Sequence, residues 1–248
     1  MVKPARIHAI KEQMGGQKGW TVNSVEALKA LINSIPRDSG TLLVQEIVSG
    51  PESAITLGCL HIDANGRMCQ FFTGRKLRQF PPGFGSASLV QSSPEPDTMQ
   101  ILGEFLSKIG YHGIAAGEFK RDPQTNKLKI IEINVRPSLW FSITSAAGRD
   151  VVLAAYREMA DLAPEPGERP QLDGVRWRYW AKDLWSALFY RRNPKFLLEA
   201  PDLKAVGPEG RRVWAVFSLD DPMPVFAEVF NFSRKASKRL LQRSGYKK

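Results

Sequence analysis

The chain alternates short apolar stretches with turn-forming clusters, and the spacing of its apolar positions predicts both strands and helices. Residues 1–5 read as a short strand. Polar residues with Gly15, Gly16 and Gly19 follow as a loop. Asn23-Ser24-Val25-Glu26 has the form of a helix start with Glu at N3, and Leu28, Leu31 and Ile32 recur on one face behind it. Residues 41–48 are β-rich until Ser49-Gly50-Pro51 interrupts them. Residues 54–63 and 67–77 flank Asn65-Gly66, a strong hairpin signal. Met99, Leu102, Phe105, Leu106 and Ile109 predict a helix over 97–109. Strands over 113–121 and 127–135 flank Asp122-Pro123-Gln124-Thr125-Asn126, and 142–162 reads as one helix. The class expected is α+β with mostly antiparallel pairing.

Composition narrows this picture. At 248 residues and 43% hydrophobic the chain has ample material for a core, which excludes a disordered or collagen-like protein. The formal charge of +10 calls for an anionic partner: nucleic acid, a membrane surface or a phosphorylated ligand. Cys59 and Cys69 fall in apolar strands and read as inert core residues, and His8, His61 and His112 are too scattered for a zinc site. No apolar h-region follows Met1 and no run reaches the length of a membrane span, so a cytoplasmic location is expected. A stretch rich in proline, residues 163–172, reads as a linker between residues 1–162 and a C-terminal extension, 173–248.

The most informative segment runs from Glu118-Phe119-Lys120-Arg121-Asp122-Pro123 to Ile131-Glu132-Ile133-Asn134-Val135-Arg136-Pro137. A turn centred on Thr125 pairs Glu118 with Glu132 and Phe119 with Ile131. Alternation puts Glu132, Asn134 and Arg136 on one face, and Ile131, Ile133 and Val135 on the other, toward a core. Opposed carboxylates destabilise a hairpin, and desolvation makes this worse. A cation between them removes the penalty, and two carboxylates with an amide oxygen suit magnesium. Arg136 on that face would meet phosphate or carboxylate charge. A solvated face whose acids pair with Lys120, Lys127 and Lys129 fits the same pattern, and a one-residue slip separates the glutamates.

These residues resemble the metal-binding end of the ATP-grasp superfamily, and most of all its carboxylate–amine ligase-like group, which includes D-aspartate ligase-type enzymes. The resemblance covers residues 1–161. It implies two α+β subdomains clasping ATP, with magnesium, or manganese in its place, on Glu118, Glu132 and Asn134. It also implies an arginine, here Arg136, that steadies the transferring phosphoryl group or an acyl phosphate. Lys3 falls on the strand whose lysine contacts ATP phosphates, and Lys18 in the loop that covers them. Glu46 and the backbone of Val48 fall where adenine is read, and Glu52 where ribose is bound. Arg75, Lys76 and Arg78 match a basic segment of the group that would meet the γ-phosphate or an anionic substrate; they equally suit the guard of a strand edge. The implied activity joins a small carboxylate to an amine, or less often a thiol, through an acyl phosphate. No G-x-x-x-x-G-K-[ST] occurs, so a P-loop enzyme is excluded.

Members of that group carry an N-terminal Rossmann-like domain ahead of the Lys-Pro strand, which here starts at residue 2. The expectation is therefore a truncated chain, or one that meets a partner chain or oligomerises. A non-catalytic nucleotide-binding remnant is the alternative to the ligase. The final segment keeps a further reading open. Arg234, Lys235, Lys238, Arg239, Arg243, Lys247 and Lys248 follow Val225, Phe226, Val229, Phe230 and Phe232, a pattern that suits peripheral membrane contact more than nucleic acid.

Overall fold

The computed structural model describes residues 1–5, 19–36, 40–164, 170–196, 198–204, 206–231 and 234. The chain divides into two compact units, Met1–Ser49 and Gly50–Lys248. In the first, β1 (Val2–Pro4) pairs antiparallel with β2 (Leu42–Val44), and Val2 bridges Trp20. Helix α1 (Val25–Ser34) is capped by Ser24, whose Oγ accepts from Ala27 N at 3.1 Å. The cap is thus one residue later than the Asn23–Glu26 pattern places it, because the Ser24 hydroxyl reaches the third helical amide. The loop with Gly15, Gly16 and Lys18 lies outside the described residues.

The second unit is built on a seven-stranded sheet in the order β7-β6-β3-β4-β5-β8-β9. Its strands are β3 (Ile55–Ile62), β4 (Met68–Phe80), β5 (Ser86–Ser92), β6 (Gly113–Arg121), β7 (Leu128–Asn134), β8 (Arg176–Arg178) and β9 (Arg212–Trp214). Every neighbouring pair is antiparallel except β8 with β9. The predicted Asn65-Gly66 turn joins β3 and β4, with Gly66 at φ 80°, a conformation open to glycine.

Both faces of the central strands are covered, so β3 is buried along its whole length. On one face Ile55, Leu57, Cys59 and Phe72 pack with Trp140, Ile143, Val151 and Trp177. These include residues of α3 (Ser142–Ala146) and α4 (Val151–Met159). On the other face Leu60, Ile62 and Phe119 pack on Leu102 and Leu106 of α2 (Pro96–Lys108). The helix expected over 142–162 is two helices, because Gly148 takes φ 77° and Asp150 opens a new one by accepting from Leu153 N. Helix α5 (Trp180–Arg192) packs against β4 and β5.

The boundary expected at 163–172 falls inside the second unit. Strands beyond it, β8 and β9, continue the sheet, because β8 satisfies the ladder groups along β5 from Leu89 to Gln91. Of the two cysteines, Cys59 is core, but Cys69 is exposed near the start of β4, with its Sγ 3.5 Å from Asp63 Oδ2.

Candidate functional site

The site is built on the β6–β7 hairpin, and its turn is organised by Asp122. One oxygen of Asp122 accepts from Gln124 N at 2.9 Å, and the other from Thr125 Oγ1 at 2.9 Å. Lys129 Nζ lies 2.9 Å from the same carboxylate. These donors hold the Asp122 carboxyl far below its ordinary range, the Lys129 hydrogen bond contributing most.

With the turn fixed, Glu118 faces Glu132, and Ala116 faces Asn134. Below that point the register differs from the simple hairpin. Phe119 faces Ile130, not Ile131, because Ile131 is an extra residue that forms a bulge. The bulge also separates the two isoleucines expected to point together. Ile131 packs with the Trp140 cluster and Ile133 with the α2 cluster.

Cross-strand neighbours share a face. Glu118 neighbours Leu57, and Leu57 neighbours Gly74; Lys120 and Lys76 flank Ile55 in the same way. Lys76 and Glu118 therefore lie on one face, two strands apart, and the Lys76 ammonium donates to Glu118 Oε2. Lys76 is 2% exposed and Glu118 14%. Asn134 Nδ2 donates to Glu132 Oε1 at 3.1 Å. Arg136 lies just past β7, exposed, with Nη1 3.2 Å from Pro137 O.

Behind Lys76 a chain of polar contacts runs inward. Lys76 Nζ donates to Gln79 Oε1 at 3.3 Å, and Gln79 Nε2 donates to Gly83 O at 2.5 Å. Glu52, 0% exposed in the 3-10 turn Glu52–Ala54, accepts from Gln79 N at 3.0 Å and Gly83 N at 2.7 Å. Burial pushes its carboxyl up, and these amides partly offset that. Lys120 is buried and donates to Gly50 O at 2.6 Å; desolvation lowers its pKa to about 8, against the attraction of Glu52 and Glu199.

The basic segment does not converge on the hairpin as a block. Arg75 neighbours Thr56, which bonds Thr98 of α2, so it lies on the opposite face from Lys76. There it donates to Glu95 at 2.5 Å. Arg78 donates to both oxygens of Asp183 on α5, at 2.6 and 2.9 Å. Glu52 anchors the loop after β4 with both oxygens. In the first unit, Lys3 sits on β1, while Glu46 and Val48 follow β2. Lys18 lies outside the described residues.

Among the described residues no set of three or more His, Cys, Asp or Glu gathers as a metal site. The hairpin's donors are two carboxylates and one amide oxygen, all hard oxygen ligands. This set fits a small divalent cation that keeps water and takes further oxygens from phosphate. The sequence reading missed the Lys76–Glu118 pair and the inward turn of Glu52. Strand alternation separates Arg75 from Lys76, and the turn-rich 81–86 loop needed an internal anchor.

No family model matches the chain. It is similar to the D-aspartate ligase of Enterococcus faecium (strain Aus0004), with 26% identity over 97 residues. That stretch is 38% of this chain and spans only 23% of the relative's length. Among solved structures, one partial overlap is the biotin carboxylase domain of a thermophilic 2-oxoglutarate carboxylase bound to bicarbonate. It has 16% identity, covers 62% of this chain and 36% of that one, and has a TM-score of 0.47. The ATPase subunit of phosphoribosylaminoimidazole carboxylase from Aquifex aeolicus has 11% identity, covers 57% and 48%, and has a TM-score of 0.41. The Hydrogenobacter thermophilus 2-oxoglutarate carboxylase domain, solved with MgADP, ADP and bicarbonate, has 16% identity, covers 61% and 33%, and has a TM-score of 0.42. The D-aspartate ligase match is to the kind of enzyme that the hairpin's resemblance names.

Proposed function

We propose that this chain is the magnesium-binding part of an ATP-dependent ligase that joins a carboxylate to an amine. The observation that carries the reading is Glu118 opposite Glu132, with Asn134 bonded to Glu132. Two facing carboxylates cost stability unless a cation belongs there. Lys76 pairs with Glu118, while Glu132 accepts only from the uncharged amide of Asn134 among the hydrogen bonds described above.

In this reading the substrate carboxylate attacks the γ-phosphorus of ATP, the bond to ADP breaks, and an acyl phosphate forms. The amine then attacks the acyl carbon and inorganic phosphate leaves. The reaction needs positioning and charge neutralisation, and no side-chain nucleophile. Magnesium, held by Glu118, Glu132 and Asn134, would supply charge neutralisation at the phosphate oxygens. Lys76 holds Glu118 aimed along its face. Arg136, exposed beside the hairpin, meets the moving phosphoryl charge. Lys3, Lys18, Glu46 and Val48 enter through the resemblance alone, as nucleotide contacts. Glu52, Arg75 and Arg78, whose partners here are the Gln79 and Gly83 amides, Glu95 and Asp183, are given no role in this reading.

The test is ADP release from ATP by the purified chain, with and without magnesium, across a panel of amino acids that begins with D-aspartate. Glu132→Gln should lower magnesium-dependent turnover by at least about tenfold. Unchanged turnover would sink the metal assignment. Stabilisation by ATP and magnesium without turnover on any amino acid favours the non-catalytic remnant.

A further inference from the structure

The C-terminal segment is unused by the ligase reading and has its own design. Residues 223–231 are helical. One side of this helix is anchored: Val225 and Glu228 are half-buried, and Glu228 Oε1 accepts from the Tyr179 hydroxyl at 2.5 Å. That contact fixes which face looks outward. Met223, Phe226 and Phe230, spaced by three and four residues, share the outward face. They are 67%, 65% and 67% exposed, and Leu219 just before the helix is 86% exposed.

An outward row of large apolar side chains at helical spacing is uncommon on a water-facing surface. Its sequence setting identifies the partner. Seven lysines and arginines lie between residues 234 and 248, with no acid among them. Of these only Arg234, which is exposed, falls within the described residues. Most of the chain's +10 charge therefore falls in the stretch of sequence that follows this helix. Apolar residues that can enter an acyl boundary beside cations that attract lipid phosphates suit an anionic bilayer surface. A nucleic acid would be served by the cations alone and would leave Met223 and Leu219 in water. Among the described residues no helix is long and apolar enough to cross a membrane, so the contact lies along the surface.

We infer that the helix at 223–231, with the basic residues that follow it, docks this protein on anionic lipid bilayers through Met223, Phe226 and Phe230. The inference is independent of the ligase reading, and its readout does not require ATP turnover.

The experiment is flotation of the full 248-residue chain with vesicles of phosphatidylcholine alone or with about 30% phosphatidylserine. The chain should float with the anionic vesicles only, and raising salt from about 0.1 M to about 0.5 M should release it. Phe226→Asp with Phe230→Asp should weaken vesicle binding at least about tenfold and leave the thermal midpoint unchanged. Lys238→Glu with Arg239→Glu, outside the described residues, keeps the test open if the first variant does not fold. It should weaken binding about fivefold per charge removed, before reversal adds repulsion. Failure to float with anionic vesicles overturns the inference, as does equal binding to neutral vesicles or wild-type binding by the Phe226/Phe230 variant. A gel shift with nucleic acid that survives the phenylalanine changes, with no vesicle binding, assigns the tail to nucleic acid instead.

Discussion

The ammonium of Lys76 reaches Glu118 from two strands away, so the carboxylate opposite Glu132 carries an internal counter-ion. Removing it leaves a half-buried acid without that counter-ion, beside a second acid. Lys76→Met should cost about 3 kcal/mol in urea unfolding, and Lys76→Met with Glu118→Gln should recover most of that. Added magnesium should stabilise the single variant more than the wild type, because the cation then supplies the positive charge that the ammonium gave. Equal stabilisation of the two proteins would remove the link between Lys76 and the metal.

Glu52 holds the loop after β4 by two backbone amides. Glu52→Gln offers only one acceptor oxygen and places an amide donor against a donor. It should cost about 2 kcal/mol. The pH dependence should also change. Burial raises the folded pKa above 4.5, so the folded state holds its proton longer than the unfolded chain. Wild-type stability from this group therefore falls as pH rises above 4.5. The glutamine variant should lack that component in paired unfolding curves.

Lys120 behaves in the opposite sense. Its folded pKa of about 8 lies below the ordinary lysine value of 10.5, so between them the unfolded state binds more protons. Stability from this residue should rise with pH across that window and be lowest below it. Tyr179, Tyr190 and Cys59 all have pKa values raised by burial, and they oppose this at the alkaline end. The difference between wild type and Lys120→Met isolates the rise. A difference that stays flat from pH 7.5 to pH 10, about the span of the shift, would contradict it.

Asp122 should govern acid sensitivity at the hairpin. Its folded pKa is depressed, so its contribution is full above the unfolded value near 3.9 and is lost as pH falls below it. Asp122→Ala should lower the thermal midpoint at neutral pH, and the gap from wild type should close on acidification. Amide exchange at Gln124, which donates to Asp122, should quicken in the variant.

The Glu118–Glu132 register was legible in the sequence because Asp122 to Asn126 has the residues of a tight turn, and turn length dictates pairing. The bulge was not legible. Ile130 and Ile131 are chemically identical, so no pattern tells which of them is the extra residue. Arg75 and Lys76 were read as one cationic patch because charge is a property of composition, whereas face is a property of register. The break at Gly148 was hidden by apolar periodicity running through 142–162, although Asp150 carried a cap signal. Strand β5 was missed because Ser86, Ser88 and Ser92 break up its apolar residues. The parallel β8–β9 pairing joins segments more than thirty residues apart, beyond any local pattern.

The strand order has a consequence for synthesis. Strands β3 to β7 leave the ribosome as an almost complete sheet, yet β5 is next covered by β8, whose residues begin at Arg176. For that interval the nascent chain presents Leu89, Val90 and Gln91 as an open ladder, a template for pairing with another nascent chain. Slow translation between residues 92 and 176 would prolong this exposure, so synonymous changes there are a lever on yield that leaves the finished protein unaltered.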